Sequence, residues 1–589
     1  SAAAELTSAA FDELRMKQRR ASGMEPAASG DLDDEDPPSP LRQRAVLPSS
    51  SSDATARLFA GFLAAVGALL LVLVLLSAAP EPGAPAAWPA EVTVEMLFDH
   101  PSTLWDGWIP PPAASISVAA PSPPAASPAP PPPAIRNNIL LILTDDQDQI
   151  LGGGFSPDDP IDSPTPMPRT RELIGRRGLT ARHFFAHSPI CCPSRAQILT
   201  GRYLHNLRVH PSQPLADPRE DCMHVDGNRV NNKSFALALQ SSGYATALFG
   251  KYLNNWPMRQ YVPLGFDAFL GNGGGHYLGA PFAAKGMGWY GINNGMWTAR
   301  HDEYTTSIVG NATAAWVRRM VTEEQDKPFF AMMAPKAPHE PFVPASWYAD
   351  TWEASWPSHE PRPPAWNATA ETRGPRHGNL RTQRPMSPAA SSVVTGVFRN
   401  RWRTLMSVDD AVDAVLAACG DTLERTFVIF TSDHGFSLGE FGMLMDKRHV
   451  YDFDTRVPFL VRGPGILPRS VLEQPATHVD LAPTILDMAG LRAEDHHTSV
   501  GGALATMDGR SLLPLLIGDM SDHNLGSGLK SRLAALGGNA VAYAATWRHA
   551  VLIEHLFHTA NIKCVESCTF DEGLVSQRGN YPQTDVWCA

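Results

Sequence analysis

Asn138-Ile139-Leu140-Leu141-Ile142-Leu143-Thr144-Asp145-Asp146 is an unbroken apolar run that ends in two adjacent carboxylates. A strand with one wet face alternates polar and apolar residues. A continuous run of β-formers instead marks a strand covered on both faces, as in a parallel sheet under helices. Acids at the carboxyl end of such a strand stand where open α/β sheets bind ligands. Acid pairs also serve simply as turn formers and caps. The pattern recurs downstream: Phe427-Val428-Ile429-Phe430-Thr431-Ser432 runs into Asp433-His434-Gly435. Pro328-Phe329-Phe330-Ala331-Met332-Met333 leads to Ala337-Pro338-His339-Glu340-Pro341-Phe342, and residues 245–249 lead into Gly250-Lys251-Tyr252.

Helical patterns lie between these runs. Residues 171–177 stop at Gly178, and residues 234–239 stop before Gly243. Residues 408–418 carry Val408, Ala411, Val412, Val415 and Leu416 at helical spacing, and residues 481–488 end at Ala489-Gly490. The alternation predicts an α/β fold: a mostly parallel central sheet flanked by helices, with a smaller C-terminal α+β subdomain carrying strands at 541–543 and 551–553. Residues 351–395, rich in Pro, Arg and Ser, read as a long surface loop.

Two strands ending in acid predict a divalent cation held by Asp145, Asp146 and Asp433, because hard cations take oxygen ligands. His434 is an unusual partner for a hard ion, so it either ligates a softer one or touches an anion. A lone His near a strand end is more often structural; set between prolines, His339 is a candidate acid or base. Single lysines such as Lys251 and Lys447 are mostly solvated surface.

Cys191-Cys192-Pro193-Ser194-Arg195, followed by a short helical stretch and Thr200-Gly201-Arg202, resembles the sulfatase signature. Alone, two adjacent cysteines would equally suit a disulfide. Gly250-Lys251 and Asp446-Lys447-Arg448 resemble two further sulfatase segments. Together with Thr144-Asp145-Asp146-Gln147-Asp148, Gly250-Lys251-Tyr252-Leu253-Asn254 and the run from Arg401 to Asp410, they are similar to the N-acetylglucosamine-6-sulfatase group and the heparan endosulfatases, over about residues 135–520. The resemblance implies the alkaline-phosphatase-like sulfatase fold and conversion of Cys191 to formylglycine by a formylglycine-generating enzyme. It also implies a calcium ion bound by Asp145, Asp146, Cys191, Asp433 and His434. Arg195, Lys251 and Lys447 would bind the sulfate, and His339 would protonate the leaving sugar oxygen. The implied substrate is a sulfated glycan, specifically the 6-O-sulfate of N-acetylglucosamine. Two departures stand out. Leu253 occupies a position where many arylsulfatases have His, and His434 one where many have Asn. Three other readings of these residues are a broader arylsulfatase, a phosphodiesterase of the same superfold, which more often carries Thr or Ser as nucleophile, and a catalytically silent glycan-binding protein.

The net charge of −12 argues against a nucleic-acid partner. Seven cysteines are too few for a disulfide scaffold in 589 residues. Residues 1–57 are charged and aperiodic and read as a disordered cytosolic tail. Residues 58–79 begin with 19 uncharged residues, long enough as a helix for about one hydrocarbon core. Seven Lys/Arg precede this segment and none lies between Ser77 and Ile135, so a signal anchor would place the remainder in the lumen (Golgi or lysosome) or outside the cell, with a shed soluble form available. Residues 80–134 form a Pro-rich stalk, 135–500 the catalytic domain, and 501–589 the C-terminal subdomain. Sequons at Asn232, Asn311 and Asn367 agree with a luminal fate.

Overall fold

β1 (Asn138–Thr144) is buried at every position and forms the middle of the sheet. The computed structural model describes residues 136–160, 163–208, 225–254, 262–368, 385–442, 445–491, 507–537 and 540–554. The predicted tail, span and stalk lie outside the described residues. Among the described residues, no helix is long and apolar enough to cross a membrane.

β1 is joined in parallel by β8 (Phe329–Ala334) on one side and β9 (Thr426–Ser432) on the other, both fully buried. β4 (Ala245–Lys251) continues in parallel beyond β8, and β5 (Ala268–Asn272) beyond β4. Four of these five strands, all but β5, are the continuous apolar runs of the sequence. The two wings are largely antiparallel. On one side β6 (Pro281–Lys285) and β7 (Gly295–Thr298) form a hairpin against β5. On the other, β10 (Phe459–Arg462) pairs antiparallel with β9 and with β2 (Leu179–Ala181), and β11 (Ser470–Leu472) pairs in parallel with β2. The result is a ten-stranded sheet with a parallel centre. Two short strands, β3 (Phe184–Phe185) and β12 (Ala476–Thr477), pair separately in parallel.

Each face of the sheet carries its own core. One, built from Ile139, Leu141 and Leu143, packs under α1 (Cys191–Thr200), α2 (Phe235–Ser241) and α5 (Leu481–Met488). The other, built from Leu140 and Ile142, packs under α3 (Thr305–Glu323) and α4 (Pro388–Ala418). Alternate β1 side chains therefore point to opposite cores, the period-two consequence of strand geometry. α2 starts where the sequence predicts, with Ser234 as N-cap accepting from Ala236 N. α5 matches its predicted limits. The pattern at 408–418 proves to be the last third of α4, which begins twenty residues earlier at Pro388.

Three expectations change. The segment at 171–177 is a π-helical turn, Arg171–Arg176, behind a short α-turn. The expected surface loop at 351–395 contributes a core of its own: Trp356, Met386, Ala390 and Val394 pack with Phe398 and Trp402. The tryptophans outweigh the polar composition, because each buries a large apolar surface. The strand expected at 541–543 lies in a helix, Ala540–Ala545, and residues 551–554 form no strand. Among the described residues beyond 500, the regular elements are helical, and Leu513, Leu516, Leu529 and Trp547 join the core beneath α1.

Gly250 shows why a glycine precedes the lysine of β4. Its φ is +108°, and a Cβ there would come 2.0 Å from the carbonyl oxygen of Ala334 on β8. Gly250→Ala is therefore expected to destabilise the domain by more than about 2 kcal/mol, read as a drop in thermal midpoint. Gly396, exposed in the middle of α4 with nothing within 4 Å of an added Cβ, gives the opposite sign. Gly396→Ala should stabilise by about 0.5–1 kcal/mol, and equal effects of the two substitutions would refute this account.

Candidate active site

The parallel register pairs Thr144 with Ser432, so Asp145 and Asp433 leave the sheet side by side. Asp146 holds φ at +67°, a left-handed conformation that aspartate tolerates better than most residues. Lys251 is the last residue of β4, Cys191 the first of α1, and Arg195 one turn further along α1. His339 lies in the loop after β8, and Lys447 in the loop after β9. The structure thus brings together all nine residues predicted for metal and anion chemistry.

All of these side chains except His339 are buried. Lys251 Nζ lies 2.5 Å from Asp145 Oδ2, and Lys447 Nζ lies 2.6 and 2.8 Å from the two oxygens of Asp146. Arg195 Nε donates to Asp433 Oδ2 at 2.8 Å, and its Nη1 to the Lys251 carbonyl at 2.9 Å. Three carboxylates thus face three cations, which is what allows this much charge to be buried. Burial would raise Asp145, but Lys251, His339, Arg195 and Lys447 outweigh it and hold the carboxyl well below its usual range. The Cys191 thiol behaves alike: burial pushes it up, while Lys251 and Lys447 bring it well below a free thiol. Asp433 goes the other way, raised to about 6 by burial and by the neighbouring Asp145.

Asp145, Asp146, Cys191 and His434 each bring one ligand atom into a set lying within 4.8 Å of one another. Nδ1 of His434 is 2.9 Å from the Gly435 carbonyl, which can only accept, so that nitrogen carries a proton. In the neutral ring the Nε2 lone pair then faces the set, 3.3 Å from Cys191 Sγ and 3.4 Å from Asp146 Oδ1. Burial disfavours the charged imidazole, but Asp433, Cys191 and Asp146 together raise it to about 9; a bound cation would take the place of that proton. These residues fit a divalent ion. Asp433 stands beside the four rather than among them. Its Oδ1 accepts from the backbone N–H groups of Asp146 at 3.2 Å and His434 at 2.9 Å, so both its oxygens are engaged in positioning neighbours.

His339 is the member of the group open to solvent, with its side chain 17% exposed and Nε2 3.9 Å from Asp146 Oδ2. Cys192, next to Cys191, is disulfide-bonded, whereas Cys191 is free. Of the three sequons, Asn311 is exposed on α3, while Asn232 and Asn367 are half-buried. The Asn367 side chain accepts from Met386 N at 2.5 Å.

Sequence reasoning passed over several supporting residues. Arg401 is buried on α4, donates to the Asp146 carbonyl at 2.7 Å and to Asp148 Oδ1 at 3.2 Å, and lies over the Phe436 ring. In sequence it is marked only as the start of a family-like run, although a buried-face arginine on a long helix is itself a signal. Ser194 donates to the Asp433 carbonyl and meets His478 Nδ1 at 2.9 Å. Nothing in the local sequence marks His478.

The sulfatase family model matches residues 137–491 of this chain. The chain belongs to the sulfatase family. Among relatives, it is 34% identical to an extracellular sulfatase SULF-1 homolog of Drosophila melanogaster, over 60% of this chain and 29% of that one. It is 32% identical to the human N-acetylglucosamine-6-sulfatase, over 70% of this chain and 66% of that one. The chain thus spans less than two thirds of the length of either sulfatase.

A further buried carboxylate lies near Asp148. Glu440 accepts from Leu438 N at 2.5 Å through Oε2, but its Oε1 has no partner. Burial, with Asp148 and Glu360 adding repulsion, raises it from 4.5 to about 8. The folded state then holds a proton that the unfolded chain releases, so this group's contribution to stability falls as pH rises from about 4.5 to about 8. Glu440→Gln should remove that slope, at most about 1.4 kcal/mol per pH unit. Denaturant unfolding of both proteins across this window checks it; parallel pH profiles would contradict the assignment.

Proposed function

We propose that the chain is a sulfuric ester hydrolase that removes 6-O-sulfate from N-acetylglucosamine in glycans, with Cys191 converted to formylglycine. The observation that carries this reading is the meeting of Cys191 with Asp145, Asp146 and His434 on one side and Lys251 and Lys447 on the other. Asp145, Asp146 and His434 would hold a divalent ion, calcium being the one proposed, which when bound would polarise the sulfate and acidify the neighbouring hydroxyl. Formylglycine hydrate at position 191 would supply the nucleophilic oxygen, and its second hydroxyl the means of expelling sulfate.

The chain's own residues do the rest. Lys251 and Lys447 lie beside both the nucleophile position and the carboxylates, so either can exchange a carboxylate contact for one to a sulfate oxygen. There they offset the charge that develops on non-bridging oxygens, as cations do in phosphoryl transfer. Arg195 is pinned by Asp433 and the Lys251 carbonyl and holds α1 against the ends of β4 and β9. Nδ1 of His339 is 2.8 Å from the Glu340 carbonyl and must donate to it. Its Nε2 therefore delivers a proton to the leaving sugar oxygen only from the doubly protonated ring.

Cys191→Ser should abolish steady-state turnover while leaving the thermal midpoint within a few degrees, because serine lacks the second hydroxyl. Peptide mass analysis of protein from its native cell should find an aldehyde at position 191, and elemental analysis one divalent ion per chain. An unmodified thiol in protein without sulfatase activity would instead favour a silent glycan-binding role.

We also propose that the domain is luminal or extracellular, anchored by one span at 58–79 and modified by the formylglycine-generating enzyme of that compartment, with Asn232, Asn311 and Asn367 as glycan sites. The extracellular character of the Drosophila relative supports this. Glycosidase treatment should increase gel mobility, and sealed vesicles should protect the domain from added protease. Unchanged mobility together with digestion would overturn the topology.

A further inference from the structure

Lys336 is a cation beside this site that has no carboxylate of its own. It precedes His339 by three residues in the loop after β8. Its Nζ donates to the Gly275 carbonyl at 2.7 Å and lies 5.6 Å from the centre of the Tyr277 ring. Tyr277 in turn donates its hydroxyl to the His339 carbonyl at 2.6 Å. The glycine run Gly273-Gly274-Gly275 closes the same space from the other side: a Cβ on Gly274 would stand 3.7 Å from Lys251 Nζ. Lys336, Lys251 and His339 thus bound one region, held together by Tyr277 and the glycine loop.

The lysines differ in how their charge is met. Lys251 and Lys447 each pair with an aspartate, as Arg195 does. Lys336 forms no ion pair with any described carboxylate; the charges around it are Lys251, Lys447, Asp145 and the adjacent Glu340. Burial lowers its pKa from 10.5 to about 8, with Lys251 adding to the fall, so it remains mostly cationic at neutral pH. A half-buried ammonium with one of its three donors on a carbonyl has two left for an incoming group. An anion is the partner that best offsets its charge.

We propose that Lys336 is a specificity-determining residue that binds a second anionic substituent, a sulfate or a carboxylate, carried by the sugar that bears the scissile sulfate or by its neighbour. This rests on the sulfatase reading. It assigns the enzyme to multiply charged glycans rather than to isolated monosulfates.

The test uses the full chain with formylglycine in place, as wild type, Lys336→Gln and Lys336→Arg. Four substrates are compared: an aryl monosulfate, N-acetylglucosamine 6-sulfate, a glucosamine bearing N- and 6-O-sulfates, and a uronate-containing disaccharide with one 6-O-sulfate. One lost charge-assisted hydrogen bond corresponds to about tenfold or more in binding. Lys336→Gln should therefore lower kcat/KM on at least one doubly anionic sugar by about tenfold relative to the monosulfates, through KM, and Lys336→Arg should restore most of it. The disulfated sugar and the uronate disaccharide distinguish sulfate from carboxylate as the second anion. An equal loss on all four substrates, or a loss confined to kcat that grows with the basicity of the leaving group, would overturn the proposal and make Lys336 a proton donor. Wild-type protein with formylglycine present but no turnover on any substrate would refute the sulfatase reading instead, before the variants are compared.

Discussion

The register of one strand pair sets the geometry on which the site depends. Thr144 lies opposite Ser432 across a parallel ladder, so two chain segments far apart in sequence turn out of the sheet at one level, each carrying an acid. Antiparallel pairing would send the two acids to opposite edges of the sheet. A shift of one residue would turn every alternate side chain to the other core, where Ile139 and Leu140 already have distinct neighbours. Burial on both faces therefore fixes the register, and the register fixes the distance between the carboxylates. The chemistry at the edge of the sheet follows from packing in its middle.

What the site then requires is charge balance. Asp145, Asp146 and Asp433 cannot share a dry pocket unless cations accompany them, and Lys251, Lys447 and Arg195 arrive from a strand end, a loop and a helix start. Arg401 and the Gly435 carbonyl add the outer supports that orient Asp146 and His434. Each buried pair is weak evidence for stability in itself, because desolvation offsets most of the Coulomb gain. Their value lies in position. Two of the cations that neutralise the carboxylates in this structure, Lys251 and Lys447, are the groups proposed to neutralise a sulfate, so little rearrangement separates the two arrangements.

The sequence was most legible where one physical signal dominated. Four of the five central strands, all but β5, read correctly because a short, continuous run of β-formers fits little besides a strand covered on both faces. The proposed site residues could be picked out together because they follow those strands or open α1. The wings were less legible: β2, β7 and β11 are short and partly exposed, and their pairing depends on partners rather than on their own residues. The tryptophan-rich core around Phe398 was missed because composition over a window hid a few large side chains. The helix at 540–545 was missed because a short apolar run carries no periodicity that separates helix from strand.

Lys336 and Arg401 show where local reading stops. Both are ordinary in sequence, one between prolines and alanines and the other within an arginine-rich turn of helix. Arg401 is explained by burial: a guanidinium stacked on Phe436 and bonded to the Asp146 carbonyl has one place to be and one task, which is holding the acid loop. Lys336 is explained by what it lacks. Lys251, Lys447, Arg195 and Arg401 each have a counter-charge within the chain, so the electrostatics at this edge of the sheet are complete without it. A cation surplus to that balance, placed near His339, the proposed proton donor, and over the ring of the tyrosine that anchors the His339 loop, is what the proposed second anion would answer.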